Sequence, residues 1–378
     1  MSIKIAVLKE TRPGEDRVAL VPSVVERMLK LGTTITLQSG AGDAVKLPNA
    51  AYAGVSIVAD TAALVADANV VLAVRAPPPE TIAAMREGAT LISFVYADQE
   101  AALLDVLRSR NITCFAMERV PRLSRAQAMD ALSSQATLAG YYAALLGATH
   151  LARILPRMTT AVGTLRPATV LVMGLGVAGL QALATARRLG AVVEGYDVRP
   201  ETKEQAVSVG AKFVETGIDA RGEGGYAREL TEAEKQAVAE VLTSHIQGAD
   251  VIITTASVPG RRAPRLISKA QVEGMKAGAV IIDLAAESGG NCELTCPGET
   301  IRAGQVTIVG PVNVPSLLGE HASELYSKNL LNFLTLLVRD GQLAPDWSDE
   351  VIAKTALTGG SPPPSPAPQP DLTTTKGE

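Results

Sequence analysis

The chain has 378 residues, 47% of them apolar and 20% charged, with a formal net charge of −4 at pH 7. This predicts two globular domains rather than a disordered chain, and mild acidity without a basic block argues against nucleic acid as the main partner. Three cysteines (Cys114, Cys292, Cys296) and three scattered histidines (His150, His245, His321) suggest neither a disulfide framework nor a histidine metal cluster.

The opening MSIKIAVLKE reads as a strand and not as a signal peptide, since no long apolar region follows it. Strand-like runs continue at Thr34–Gln38, Val55–Val58, Val70–Val74, Thr90–Val95 and Ile112–Met117. Helical stretches lie between them at Ser23–Leu31, Thr61–Ala66, Thr81–Arg86 and Gln99–Arg108. Such alternation implies a mostly parallel sheet covered by helices on both faces. From Ser133 to about Leu155 an alanine-rich helical pattern, broken by Gly140 and Gly147, predicts a bridge into a second domain.

The second domain opens with Thr169–Asp197, TVLVMGLGVAGLQALATARRLGAVVEGYD. An apolar strand is followed by Gly174, Gly176 and Gly179 in G-x-G-x-x-G spacing, then a helix, a second apolar run, and an acid 18 residues beyond the last glycine. Each piece suits a dinucleotide. Gly174 can take the turn out of the strand, Gly176 lets a pyrophosphate approach the backbone, and Gly179 lets the helix lie close on the sheet. Val177 opens the helix, whose free N–H groups favour phosphate. Asp197 would take the adenosine ribose, with Val198 beside it; Arg199 leaves open an NADP-type 2′-phosphate contact. The bland alternative is a plain βαβ unit needing a tight turn.

Further strands are expected at Lys212–Val214, Val251–Thr255, Val280–Leu284 and Val306–Val309. The long connection Glu215–Leu230 is of a length usually functional or disordered. Thr231 with Glu234 has the spacing of a capping box. A helix over about Ala322–Arg339 is assigned back to the first domain. From Gly359 the chain becomes a proline-rich tail. No run approaches the ~20 apolar residues of a membrane span. The expected fold is α/β: two doubly wound, Rossmann-like parallel-sheet domains with a nucleotide cleft between them. The first is discontinuous (1–132 plus 318–358), the second is 133–317, and 359–378 is a tail.

The segment Pro121–Gln135, PRLSRAQAMDALSSQ, reads alone as a helix entry capped by Asp130 and Ser133. Together with KETRPGEDRVAL, GLGVAGLQA, EGGYA, IDLAAESGGN and VNVPS, it resembles the proton-translocating nicotinamide nucleotide transhydrogenases, over about residues 1–340. Within that family it is most similar to the soluble NAD(H)-binding component, domain I, in the form where this is a separate alpha subunit. The resemblance implies that Arg122, Asp130 and Ser133 fix the nicotinamide carboxamide and ring, on a loop completed by Leu123, Ser124 and Arg125. It implies that Gln127 reaches toward NADP(H) on a partner, and that Gly225 and Tyr226 sit on a loop closing over the nucleotide. It further implies a homodimer on the cytoplasmic face of the membrane, an NADP(H)-binding beta-subunit domain and membrane-spanning subunits. Hydride would pass reversibly between NADH and NADP⁺, coupled to proton translocation.

Alanine dehydrogenase, which shares this family's fold, is the rival. It needs a basic pair for a keto acid and an acid/base histidine. Arg17 and Arg75 fall at the basic positions, where a lysine is expected at the second. Tyr96 stands where the histidine should be, and Glu287 replaces a second catalytic acid. A tyrosine with an ordinary pKa of ~10 is a poor acid/base group near neutrality. A non-catalytic NAD-sensing module is a third reading, but it has no use for the Arg122–Ser133 loop. The Gly40-Ala-Gly42 turn supplies no second fingerprint, because Val45 stands where its third glycine would fall.

Overall fold

A computed structural model describes residues 2–97, 101–219, 228, 230–257 and 262–359. The chain divides into two compact units: the described residues of Met1–Thr11, Val18–Asp130 and Ser327–Glu378, and those of Arg12–Arg17 and Ala131–Tyr326. Arg12–Arg17 belongs with the second unit because Arg17 is hydrogen-bonded to Gln135 and Asn313 there.

The first unit is built on a seven-stranded sheet. Its strand order is Ala356–Thr358, Thr113–Ala116, Thr90–Phe94, Val70–Arg75, Ile3–Val7, Thr33–Gln38, Ser56–Val58. The pairings are parallel except at the edge, where Ala356–Thr358 runs antiparallel to Thr113–Ala116. Central strands such as VVLAVR are apolar almost throughout, as a sheet covered on both faces requires. Val71, Ala73, Leu91 and Cys114 pack against Leu64, Val65, Ile82, Leu103 and Leu107 of the covering helices. The segment after the long helix Gly319–Leu337 returns to this sheet: Trp347 stacks on Phe115 at 5.9 Å, and Val351 and Ile352 of the helix Glu350–Thr355 are buried.

The second sheet is ordered Lys212–Phe213, Val192–Tyr196, Thr169–Met173, Val251–Thr254, Val280–Asp283, Val306–Val309, Thr300–Ala303. Side chains alternate between its faces. Val170, Val172, Val251, Ile253, Val280 and Ile282 therefore enter one core, and Leu171, Met173, Ile252 and Ile281 the other. Helices feed both, which is the doubly wound arrangement.

Several local expectations change. The glycines at 140 and 147 do not break their helix, which runs unbroken over Ala131–His150. A Cβ at Gly140 would collide with the Ala178 carbonyl, and one at Gly147 would lie 2.8 Å from Val251 Cγ1. They are glycine because other backbone and side chains come close, not because the helix ends. Two edge strands, Thr300–Ala303 and Ala356–Thr358, and the exposed hairpin Met158–Thr160/Gly163–Leu165 add to the expected elements; none carries a strong apolar pattern. The capping box at Thr231 is present in both halves: Thr231 Oγ1 accepts from Glu234 N and Glu234 Oε2 from Thr231 N.

Candidate functional site

In the second unit the strand order turns back between Thr169–Met173 and Val251–Thr254. In doubly wound sheets, ligands bind beyond the carboxyl ends of the strands at such a switch point. Here Gly174 leaves the strand at φ +96°, a conformation L side chains rarely adopt, and a Cβ there would lie only 2.8 Å from Ala256 N. A Cβ at Gly179 would collide with the Gly174 carbonyl, so this glycine seats the helix Val177–Arg188 on the turn. Gly176, the residue before that helix, is the opposite case: a Cβ there would meet nothing within 4 Å. The first and third glycines are demanded by the protein's own packing. The middle one faces open space beside free helix N–H groups, which is what an approaching phosphate needs.

Asp197 follows the neighbouring strand and is 9% exposed. One carboxylate oxygen accepts from Leu175 N at 2.7 Å and from Arg199 Nη2 at 2.7 Å; the other accepts from Arg199 N and Nε, each at 2.9 Å. The carboxylate is thus held at the glycine turn, with Arg199 folded onto it and its charge engaged there. A ribose hydroxyl reaching Asp197 would have to share it with that guanidinium, since a carboxylate offers about four acceptor positions. Val198 lies half-buried next to it.

Two residues not singled out from the sequence brace this turn. Thr255 Oγ1 donates to the Gly174 carbonyl at 2.8 Å. The Asn291 amide accepts from Ala256 N at 3.0 Å and donates to Ala256 O at 2.8 Å, so a side chain stands in for a neighbouring strand. Asn291 is carried by a loop organised around Asp283, which is fully buried and accepts from Thr254 Oγ1, Ala285 N, Cys292 N and Thr295 Oγ1. Their only sequence signal is IDLAAESGGN, a motif without an assigned chemistry.

In the first unit, Ser124–Met129 forms a 3₁₀ helix. Ala126 and Met129 are buried, Leu123 and Asp130 half-buried, and Arg122, Ser124, Arg125 and Gln127 exposed or half-exposed. Arg125 reaches Asp349 with two bonds, 2.9 and 2.7 Å. Ser133, half-buried on the helix Ala131–His150, belongs to the second unit. Gly225 and Tyr226 lie outside the described residues.

The two arginines at the rival enzyme's basic positions are engaged elsewhere. Arg17 is 3% exposed; its Nε and Nη2 each donate to Glu15 at 2.6 Å, Nη1 to Gln135 Oε1 at 2.9 Å and Nη2 to Asn313 Oδ1 at 3.2 Å. Burial pushes the Glu15 carboxyl up, but Arg17 outweighs it and holds the group below its ordinary 4.5. In the first unit Arg75 lies 4.9 Å over the Tyr96 ring, which stacks on Phe94. Tyr96 has φ +51°, held by the Glu118 carboxylate accepting from Val95 N and Tyr96 N.

Strand order and glycine turn together define the class: a doubly wound α/β protein of Rossmann type. Two family profiles cover nearly the whole chain, the alanine dehydrogenase/PNT N-terminal domain at residues 6–139 and C-terminal domain at 143–361. The chain is 46% identical to the first of the separate alpha-subunit chains of NAD(P) transhydrogenase of Rhodospirillum rubrum, over 94% of this chain and 96% of that one. Against alanine dehydrogenase of Mycobacterium tuberculosis the identity is 31%, over 93% and 92%. A solved transhydrogenase from Sinorhizobium meliloti superposes with a TM-score of 0.83 at 41% identity, over 94% and 97% of the two chains. The chain belongs to the alanine dehydrogenase/PNT family, on its transhydrogenase side. Among the described residues no helix is long and apolar enough to cross a membrane, and no group of three or more His, Cys, Asp or Glu could hold a metal ion.

Proposed function

We propose that this chain is the NAD(H)-binding component of a proton-translocating transhydrogenase, exchanging hydride with NADP(H) held on a partner subunit. The observation that carries the reading is the Gly174–Gly179 turn, with open space at Gly176 and the Asp197 carboxylate held beside it. The residues fit the cofactor: the helix N-terminus takes its pyrophosphate and Asp197 its adenosine ribose. Arg122, Asp130 and Ser133 are assigned to the nicotinamide carboxamide, with Leu123 and Ser124 shaping the loop, and Gln127 to the side facing NADP(H). The nicotinamide supplies the hydride chemistry. No substrate hydroxyl or amine gains or loses a proton, so the chain has to bind, orient and exclude water rather than provide a general base.

The relatives are named as alpha subunits, whole or divided, and this supports companion subunits. On this reading these are an NADP(H)-binding beta-subunit domain and membrane-spanning subunits carrying the proton path, with this chain working as a homodimer on the cytoplasmic face. The state of Arg17 speaks against alanine dehydrogenase: its guanidinium is bound to Glu15, Gln135 and Asn313.

The test is stopped-flow mixing of NADH with an NADP⁺-loaded transhydrogenase domain III, beside an assay of alanine with NAD⁺. Hydride transfer only when both proteins are present is the expected result, and Asp197→Ala should weaken NADH about tenfold or more, the loss of one or two bonds to a charged acceptor. Reduction of NAD⁺ by alanine would overturn the reading. NADH binding with neither reaction would leave a sensing module.

A further inference from the structure

A 3₁₀ helix has three residues per turn, so side chains three apart eclipse and the helix has three faces. Over Ser124–Met129 and the Asp130 that follows, the three faces have different surroundings. Ala126 and Met129 form the first and are buried in the unit's core. Arg125 and Ala128 form the second, and the returning C-terminal segment grips both. Arg125 makes its two-bond pair with Asp349, the residue that caps the helix Glu350–Thr355 by accepting from Val351 N at 2.7 Å. The Ala128 carbonyl accepts from Asn329 Nδ2 at 2.9 Å and from Asn332 Nδ2 at 3.1 Å. Those asparagines are three apart on one helix, hence on one face of it, and together they fill both lone pairs of that carbonyl.

The grip is anchored in the core rather than at the surface. Trp347 stacks on Phe115, Val351 and Ile352 are buried, and Thr358 Oγ1 donates to the Ile112 carbonyl at 2.6 Å, just ahead of the strand that leads to the loop. The third face consists of Ser124, Gln127 and Asp130.

From this partition we propose that Arg125, Asp349, Asn329 and Asn332 are positioning residues for hydride transfer. They fix the rotation of the 3₁₀ helix about its axis, and so set where Gln127 and Asp130 point, without touching the nucleotide. The functional half rests on the transhydrogenase reading above; the mechanical half does not. Arg125 is thereby a clamp rather than a cofactor ligand, although it sits in the middle of the nucleotide loop's sequence. An exposed ion pair contributes little to stability, so its loss should leave the fold intact while loosening the loop.

The experiment uses the full chain with Arg125→Ala, Arg125→Lys and Asn332→Ala, which leave the Asp349 cap in place. Amide hydrogen exchange over residues 122–130 should quicken about tenfold in Arg125→Ala and Asn332→Ala, and partly recover in Arg125→Lys. Hydride transfer to domain III-bound NADP⁺ at saturating NADH should fall about ten- to a hundredfold, the size of effect expected from a slight misplacement of reacting groups, with the NADH dissociation constant changed less than about threefold. Unchanged exchange would overturn the clamp itself, whatever the protein's activity. Faster exchange with undiminished transfer would overturn its functional role, and a raised dissociation constant with a normal saturated rate would make Arg125 a nucleotide ligand. A wild-type chain that transfers no hydride would sink the transhydrogenase reading and leave the exchange result to decide the clamp.

Discussion

In the first sheet the strand order turns back between Ile3–Val7 and Val70–Arg75; in the second it turns back between Thr169–Met173 and Val251–Thr254. Outward from these points, both sheets run through their next strands in the same sequence. Beyond the second switch point lies a tight glycine turn and a helix with free N–H groups. Beyond the first lies the Glu10 carboxylate, accepting from Val74 N at 2.6 Å and Arg75 N at 3.3 Å. A carboxylate bound to the backbone N–H groups of the switch point puts negative charge where a phosphate would need donors. One topology therefore gives a nucleotide site in one unit and a filled, charge-blocked crevice in the other. The site is a property of three glycines and an acid, not of the fold.

This comparison can be broken most forcefully at Gly179. A Gly179→Val side chain would run into the Gly174 carbonyl, and overpacking of that kind should cost ~3 kcal/mol and abolish NADH binding, as read by urea unfolding and a fluorescence titration. A stable, binding variant would show that the turn is looser than its geometry. Gly176→Val should behave oppositely. Its side chain enters open space, so stability should move by ~1 kcal/mol or less while NADH affinity falls by about 2 kcal/mol, some thirtyfold; equal losses in both quantities would remove the distinction between the glycines. The smallest effect is expected at the other switch point. Glu10→Gln weakens charge-assisted bonds to two backbone N–H groups and should lower stability by ~1 kcal/mol, with NADH affinity unchanged. A measurable effect on NADH there would mean that the first crevice takes part in binding.

Much of the architecture is written in local pattern. Apolar runs such as VVLAVR and TVLVM can only be strands buried on both faces, and the capping residues at Thr231 state where a helix begins. The glycine turn could be read residue by residue because each glycine has a separate steric reason. What could not be read is whatever depends on partners distant in sequence. Gly140 resembles a helix breaker until Ala178 is known to lie against it. Arg125 looks like a member of a binding loop until Asp349, 224 positions away, is seen to hold it. The edge strands Thr300–Ala303 and Ala356–Thr358 are short and half-exposed, so their pairing leaves almost no hydropathy signal. Thr255 and Asn291 are ordinary polar residues, distinguished only by the backbone they hold.

The buried pairing of Arg17 with Glu15 bears on how one activity in this family could be turned into the other. A designer aiming at alanine dehydrogenase would be drawn first to Tyr96→His, the missing acid/base group. That step alone should give nothing, because the cation that would greet a keto acid is already bound to Glu15, Gln135 and Asn313. Removing Glu15 first would leave Arg17 short of its counter-charge in a desolvated setting, a costly intermediate. The order of steps is then constrained: a replacement anion has to be at hand when Glu15 goes. The two lineages are separated by a barrier in the path between sequences, even though few positions distinguish them.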